Sequence, residues 1–438
     1  YEKDNEGKSI TKIVFPWAEI IYDNKDTIAV NLLKNIPGRS GDENLNISIE
    51  NLEFEFTDAL RVKASKGITK IAFIEGHGEL DEDLVYDACS AFSRYFQIDR
   101  GKLATDPNIL TPYKAIVIAK PVQAFTEQEK FIIDQYIMNG GRVLWLIDGV
   151  RIAQDSLSTM GISPAIPHQL NLDDQLFRYG VRIAPVILQD MQSTYVPMNV
   201  SGSGQAPNFQ LMPFYYSPLL LPSPYHLISK NIVQVKANFT SAIELVGKDQ
   251  KVKKDILLIT SNATNVQSTP STVDLNRMYE IDKKTFFNVA YVPVAVAMEG
   301  VFSSVFTNRM IPKGIESTGI IKHESRKTRM VVVADGDIIR NEVEGLAANR
   351  QILPLGYDRY MQKQFGNRSF ILNTMLYLAD DEGWLALRSR EFKLRMLNKR
   401  AVSVERKFWQ TLNTVLPLVT LLIFMVAYGI IRKRKYSR

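Results

Sequence analysis

The sequence predicts an α/β fold built on a parallel sheet and followed by a C-terminal membrane helix. Three observations carry this: strand and helix patterns alternate from Lys70 to Arg151, the alternation returns after Met330, and an uncharged apolar run closes the chain.

The alternation opens with an apolar strand, Ile71–Ile74, a glycine-containing loop, Glu75–Glu79, and a helix spanning Asp81–Phe96. A second strand, Ala115–Ala119, a helix from Glu127 to Met138 and a third strand, Val143–Ile147, follow. This order implies right-handed crossovers and a parallel sheet. Thr126 and Glu129 have the spacing of a capping box at the start of the second helix, and Gly140-Gly141 ends it. The unit is assigned to residues 67–151.

Before it, residues 1–66 read as short strands, Ile13–Ile21 and Thr27–Leu33, and a helix over Ser48–Ser65 with apolar residues at Leu52, Phe56, Ala59 and Leu60. Residues 152–325 form a mixed α/β middle segment with candidate strands Val181–Leu188, Ile256–Thr260 and Val292–Glu299. Its loops are Ser201–Gly204 and Ser261–Ser271. Residues 326–387 close the body with a strand, Met330–Ala334, an acidic loop, Asp335-Gly-Asp337, and a helix, Asn367–Leu378.

Residues 388–407 are a basic juxtamembrane stalk, 408–431 the membrane span and 432–438 a basic tail. No charge occurs between Phe408 and Ile431, and the stretch from Leu412 to Ile431 is dominated by aliphatic residues, Phe and Met. Roughly 20 helical residues cross a hydrocarbon core of about 30 Å. Pro417 is tolerated near the start of such a helix. The chain opens at Tyr1 with neither methionine nor a signal-peptide pattern, which points to sequence upstream.

The net charge of +6 conceals a split. From Arg388 onward there are 13 Lys/Arg against 2 Asp/Glu, leaving 40 against 45 before it. Basic charge crowded beside a membrane helix attracts anionic lipid headgroups, so membrane lipid is an expected partner and nucleic acid is not. The lone Cys89 rules out an intramolecular disulfide framework.

Glu75-Gly76-His77-Gly78-Glu79 lies where a parallel strand turns into a helix, the place where such sheets bind ligands. One histidine with Glu75 and Glu79 has the chemistry to bind a metal or transfer a proton, and the helix N-terminus to receive an anion as ligand. Against that stands a bland reading in which the glycines make the turn and Glu79 favours the helix dipole. Asp148 sits at a second strand end, and Asp335 and Asp337 at a third. Two carboxylates and an amide are too few for a protein-only metal site, so no metal and no cofactor is expected. Cys89 falls mid-helix with Val85, Phe92 and Phe96, the setting of a structural thiol and not of a nucleophile. No phosphate-binding GxxxxGK[ST] loop, HExxH or GxSxG is present, so the chain carries no ATPase machinery of its own.

Several segments together resemble the auxiliary component of bacterial ABC transport systems, with the gliding-motility-associated GldG family as the best match. They are Gly76-His77-Gly78-Glu79 with its strand, Thr126-Glu-Gln-Glu129, Gly140-Gly141-Arg142-Val143-Leu144, Leu176-Phe-Arg-Tyr-Gly180-Val181, Val331-Val-Val-Ala-Asp335-Gly-Asp337, Asn367-Arg-Ser-Phe-Ile-Leu-Asn373 and Ala379-Asp-Asp-Glu-Gly383. The resemblance implies a flavodoxin-like body related to class I glutamine amidotransferases, held at the bacterial inner membrane between two helices, the first of them before Tyr1. It also implies a permease subunit and, through it, a separate ATPase as partners. The amidotransferase nucleophile is not at a turn here, so a binding or scaffolding role is expected, with the body periplasmic. Two alternatives stand beside it: an amidase-like hydrolase using His77, Glu75 and Cys89, and an envelope glycan or ligand receptor using Phe209, Phe214, Tyr215, Tyr216 and Tyr225.

Overall fold

The computed structural model describes residues 2–3, 9–10, 15–22, 26–33, 41–64, 69–199, 201, 206–247, 251–275, 281–315, 321–345, 350–379, 381, 385 and 405–436. Residues Tyr1–Arg390 form one compact unit and Glu391–Arg438 a second.

The first unit is organised by a ten-stranded mixed sheet. In chain order its strands are β1 (Thr69–Glu75), β2 (Phe96–Lys102), β3 (Ala115–Ala119), β4 (Arg142–Leu146), β5 (Ser193–Asn199), β6 (Phe209–Pro222), β7 (Val235–Lys236), β8 (Val252–Ile259), β9 (Pro293–Gly300) and β10 (Thr328–Val333). Across the sheet they run β5-β6-β8-β9-β10-β4-β3-β1-β2, with β7 paired to β6. The five strands from β10 to β2 are parallel, as the alternation predicts. From β9 outward every pairing is antiparallel, so the expected parallel sheet is the core of a larger mixed one.

The parallel strands β1, β3, β4 and β10 are buried on both faces, which explains their continuous apolar character. Ile71, Phe73, Val117, Leu144 and Val331 face α2 (Tyr86–Phe92) and α4 (Asn367–Ala379) in one core layer. Ile74, Ile116, Ile118, Trp145 and Val332 face α3 (Glu127–Met138) and the helix Asp173–Tyr179 in the other. The alternation along each strand thus serves two cores. The capping box of α3 forms as its spacing predicts, with Thr126 Oγ1 accepting from Glu129 N and Glu129 Oε2 accepting from Thr126 N. Gly140 ends the helix at φ 96°, a region that favours glycine.

Several elements differ from the sequence reading. The helix over Asp81–Phe96 is a 3₁₀ turn, Glu82–Val85, followed by the short α2, and Phe96 opens strand β2. That strand was concealed because it is an edge, and its Asp99, Arg100 and Lys102 interrupt the apolar alternation. The expected strand Val181–Leu188 breaks at Ala184-Pro185 into Val181–Ile183 and Val186–Asp190, which pair with different partners. The expected loop Ser261–Ser271 contains strand Thr264–Ser268. The N-terminal helix starts earlier, spanning Gly41–Ala64, and the hairpin strands are Trp17–Tyr22 and Asp26–Asn31. Residues 13–14 of the first expected strand, 202–204 of the Ser201–Gly204 loop and 388–404 of the stalk lie outside the described residues.

Among its described residues the second unit contains one helix, α5, over Arg406–Tyr436. Its most apolar window has a mean hydropathy of 2.4 and is not buried. At about 1.5 Å per residue, its 31 residues are long enough to cross a bilayer. Leu412, Pro417 and Ile431 all lie within it.

Candidate functional site

The carboxyl ends of the parallel strands carry most of the residues singled out in the sequence, and sheet register explains how they meet. Leu146 of β4 pairs with Val333 of β10, so Asp148 and Asp335, two residues beyond each, stand level. Ala119 of β3 pairs with Leu146, which places Lys120 beside them. Gly336 N donates to Asp148 Oδ1 at 2.6 Å although the two residues are 188 apart in the chain.

Lys120 is the hub of this cluster and was missed by the sequence reading. Its ammonium lies 2.5 Å from Asp337 Oδ1 and 3.3 Å from Asp148 Oδ2. Its backbone is left-handed, at φ 56°, an uncommon conformation for a residue with a Cβ. Asp335 is fully buried and accepts from Asn238 N and Asp337 N, both at 2.7 Å. Burial raises the Asp335 carboxyl well above the ordinary range, and the adjacent Asp337 and Asp148 charges add to this. Asp148 is raised as well, chiefly by burial, against the pull of Lys120. Burial also acts to raise Asp337, but Lys120 and then Arg340 outweigh it and hold that carboxyl low. The cluster thus contains three carboxylates with a lysine in the position a cation would take.

The glycine loop after β1 is organised differently. His77 is buried, its Nδ1 lies 3.0 Å from Glu79 Oε1, and its Nε2 lies 3.1 Å from Glu129 Oε2. The ring stacks on Phe125 with centroids 3.6 Å apart. Burial disfavours the imidazolium, but hydrogen bonds to Glu79 and Glu129 outweigh it and the His77 pKa is raised. Glu129 is the same carboxylate that caps α3, so His77 staples the β1 loop to the start of that helix. The crevice between β1 and β3, where the strand order reverses, is closed by backbone bonds: Val122 N and Gln123 N both donate to His77 O at 2.8 Å. Glu75 turns away to accept from Arg100 Nε at 2.7 Å. The structure therefore separates Glu75, His77 and Glu79 from Asp148, Asp335 and Asp337.

Cys89 is partly buried against the core layer of α2, and burial pushes its thiol up to about 11. His77 has both ring nitrogens on carboxylates, and no hydrogen bond joins it to Cys89 among the described residues. The pair that an amidase reading needs is not assembled. The aromatic residues of the receptor reading are scattered: Tyr215 and Tyr216 are buried, Phe209 and Tyr225 are exposed, and Phe214 lines a cavity.

That cavity, of about 450 Å³, adjoins the lysine–carboxylate cluster. Asp337 and Arg340 from the turn after β10, Lys236 from β7 and the hairpin Tyr357–Gln364 form much of its wall. Lys236 Nζ binds Glu342 and, at 2.7 Å, Asp358 Oδ2. Asn367, at the start of α4, donates to Lys236 O and accepts from Lys236 N, tying the cavity floor to the core helix.

Fold and site together define a two-unit chain, with a mixed α/β body bearing a charged cluster at the carboxyl edge of its sheet and a separate apolar C-terminal helix. The family described as an ABC-type uncharacterized transport system, the ABC transport auxiliary family, matches residues 69–374, and the chain belongs to it. Membership implies an accessory role in association with an ABC transport system. The match runs from β1 into α4 and so takes in the whole carboxyl-edge cluster. No curated protein matches the chain. A solved structure described as the mmIFT52 N-terminal domain is similar at 13% identity, covering 72% of this chain and 99% of its own, with a TM-score of 0.39. A likeness of that degree carries no argument about function.

Proposed function

We propose that the chain is a non-enzymatic, membrane-anchored accessory subunit that docks on an ABC permease and acts by binding or scaffolding, with a separate subunit supplying the ATPase. The observation that carries this is the family match over 69–374 in a chain that itself holds no phosphate-binding loop. The apolar helix Arg406–Tyr436 supports anchoring, and its basic last turn, Lys433, Arg434 and Lys435, suits an anionic lipid surface at the cytoplasmic side. On that orientation the body is periplasmic at the inner membrane. The five parallel strands run 2-1-3-4-5 by their order in the chain, which supports a flavodoxin-like, amidotransferase-related core. Lys120, Asp148 and Asp337 are paired with one another and Asp335 with backbone N–H groups, so the edge is satisfied without a substrate, which supports a scaffolding role. The resemblance of the quoted motifs to the GldG family supports placing the system in gliding motility or envelope secretion.

Purification of the full-length protein in mild detergent, with its partners identified by mass spectrometry, tests the reading. The expected result is recovery with a polytopic permease and an ATPase. Recovery alone, with the C-terminal helix intact, would count against it.

A further inference from the structure

We propose that the cavity beside Asp337 is a binding site for a small, ring-bearing organic anion whose carboxylate or phosphate is taken by Arg359 and Arg350. Both guanidiniums line the cavity. Exposed arginines are commonly no more than solvated rim, so the case rests on how these two are held and on what surrounds them.

Arg359 stacks on the ring of Tyr360, with its guanidinium carbon 4.8 Å from the centroid, and it has no carboxylate partner among the described residues. The loop that carries it is fixed from beneath. Asp358 is buried, and its Oδ1 accepts from Tyr360 N at 3.1 Å and Met361 N at 2.8 Å, while its Oδ2 accepts from Lys236. A guanidinium fork oriented before the ligand arrives loses less freedom on binding, and a planar fork matches carboxylate and phosphate oxygens two at a time. Arg350 meets Asp83 at 3.7 Å in a pair exposed on both sides, an arrangement that is weak in water and readily exchanged for a ligand anion.

The wall carboxylates have basic partners of their own: Glu342 and Asp358 share Lys236, and Asp337 has Lys120 and Arg340. With Lys236, Arg340, Arg350 and Arg359 against Asp337, Glu342 and Asp358, the lining keeps a net positive charge. The lining also includes the aromatic residues Tyr195, Phe214 and Tyr357, which suit a planar or apolar body. A volume of about 450 Å³ suits a small molecule. The proposal stands whichever complex the chain joins.

Calorimetric titration of the full-length protein in detergent with glucuronic acid, glucose 6-phosphate and uncharged glucose tests it, and the two anions separate carboxylate from phosphate ligands. The expected result is saturable binding of at least one anion and none of glucose. Arg359→Gln or Arg350→Gln should weaken that binding about 10- to 100-fold without lowering the melting temperature of the ligand-free protein. The proposal is overturned if neither anion binds below about 10 mM, if glucose binds as tightly, or if both variants keep wild-type affinity.

Discussion

Replacing Lys120 with methionine isolates the electrostatics of the carboxyl edge, because methionine keeps the length of the stem and removes only the charge. The ammonium is the cation that faces both Asp148 and Asp337, and Asp335 is fully buried beside them. Removing one partner of a buried ion pair costs about 3–5 kcal/mol. Arg340 remains 3.4 Å from Asp337 on the cavity side, which puts the expected loss near the lower end, about 3 kcal/mol. Urea unfolding of the full-length protein in detergent, followed by tryptophan fluorescence, reads this as a midpoint lowered by roughly 1 M. The pH dependence identifies the cause. In the wild type the depressed Asp337 pKa contributes stability above the ordinary carboxylate range, and this is lost as pH falls through its folded value. Without Lys120 the already raised Asp148 and Asp335 carboxyls are raised further and Asp337 loses its main depressing charge, so the folded state takes up more protons and the variant gains stability relative to the wild type as pH falls from 7 to 5. Adding Asp337→Asn should restore part of the loss. A variant within about 0.2 M of the wild type, or one whose deficit does not shrink on acidification, would refute the assignment of Lys120 as the internal counter-ion.

Three further outcomes follow from the loop and helix geometry. His77→Gln should cost about 1–3 kcal/mol near pH 6. Because the folded His77 pKa is raised, its contribution is complete below the ordinary value of 6.5 and is lost as pH rises through the folded value, so the gap in melting temperature should narrow from pH 6 to 9. A gap independent of pH would count against the staple. Gly78 has φ 73°, and a Cβ there would run into Val122 Cγ2, so Gly78→Ala should destabilise by about 1–3 kcal/mol in chemical denaturation. With its thiol pushed up to about 11, Cys89 should be alkylated roughly a hundredfold more slowly at pH 8 in the native protein than after unfolding, measured as intact mass against time. Equal rates would place that thiol outside the core.

The parts of the fold legible in the sequence are those set by local chemistry. Helix α3 could be read from its capping box and terminal glycines, and β1, β3, β4 and β10 from apolar runs that serve two cores at once. The antiparallel half was not legible because its pairing is set across the chain. Strand β6 runs through Pro213, Pro218 and Pro222, residues that ordinarily argue against a strand. It is tolerated because its partner β5 is an edge and the register shifts between Ser193 and Thr194. The site divides in the same way. Asp148, Asp335 and Asp337 could be picked out singly as polar residues at strand ends, whereas their convergence required the β4–β10 register. Lys120 follows an apolar strand as Asp148 follows its own, and that shared position was the available signal. Glu129 was read correctly as a cap, but its second role, holding His77, depends on a contact that spacing does not encode.

The account turns on whether the chain works as a docked accessory subunit. Detergent extraction of the full-length protein at native abundance, followed by affinity capture and identification of co-purifying membrane proteins, measures this most directly. The expected result is a polytopic permease together with an ATPase at reproducible stoichiometry, both lost when residues 406–436 are deleted. Capture of the intact protein without either, from membranes that contain both, would contradict it.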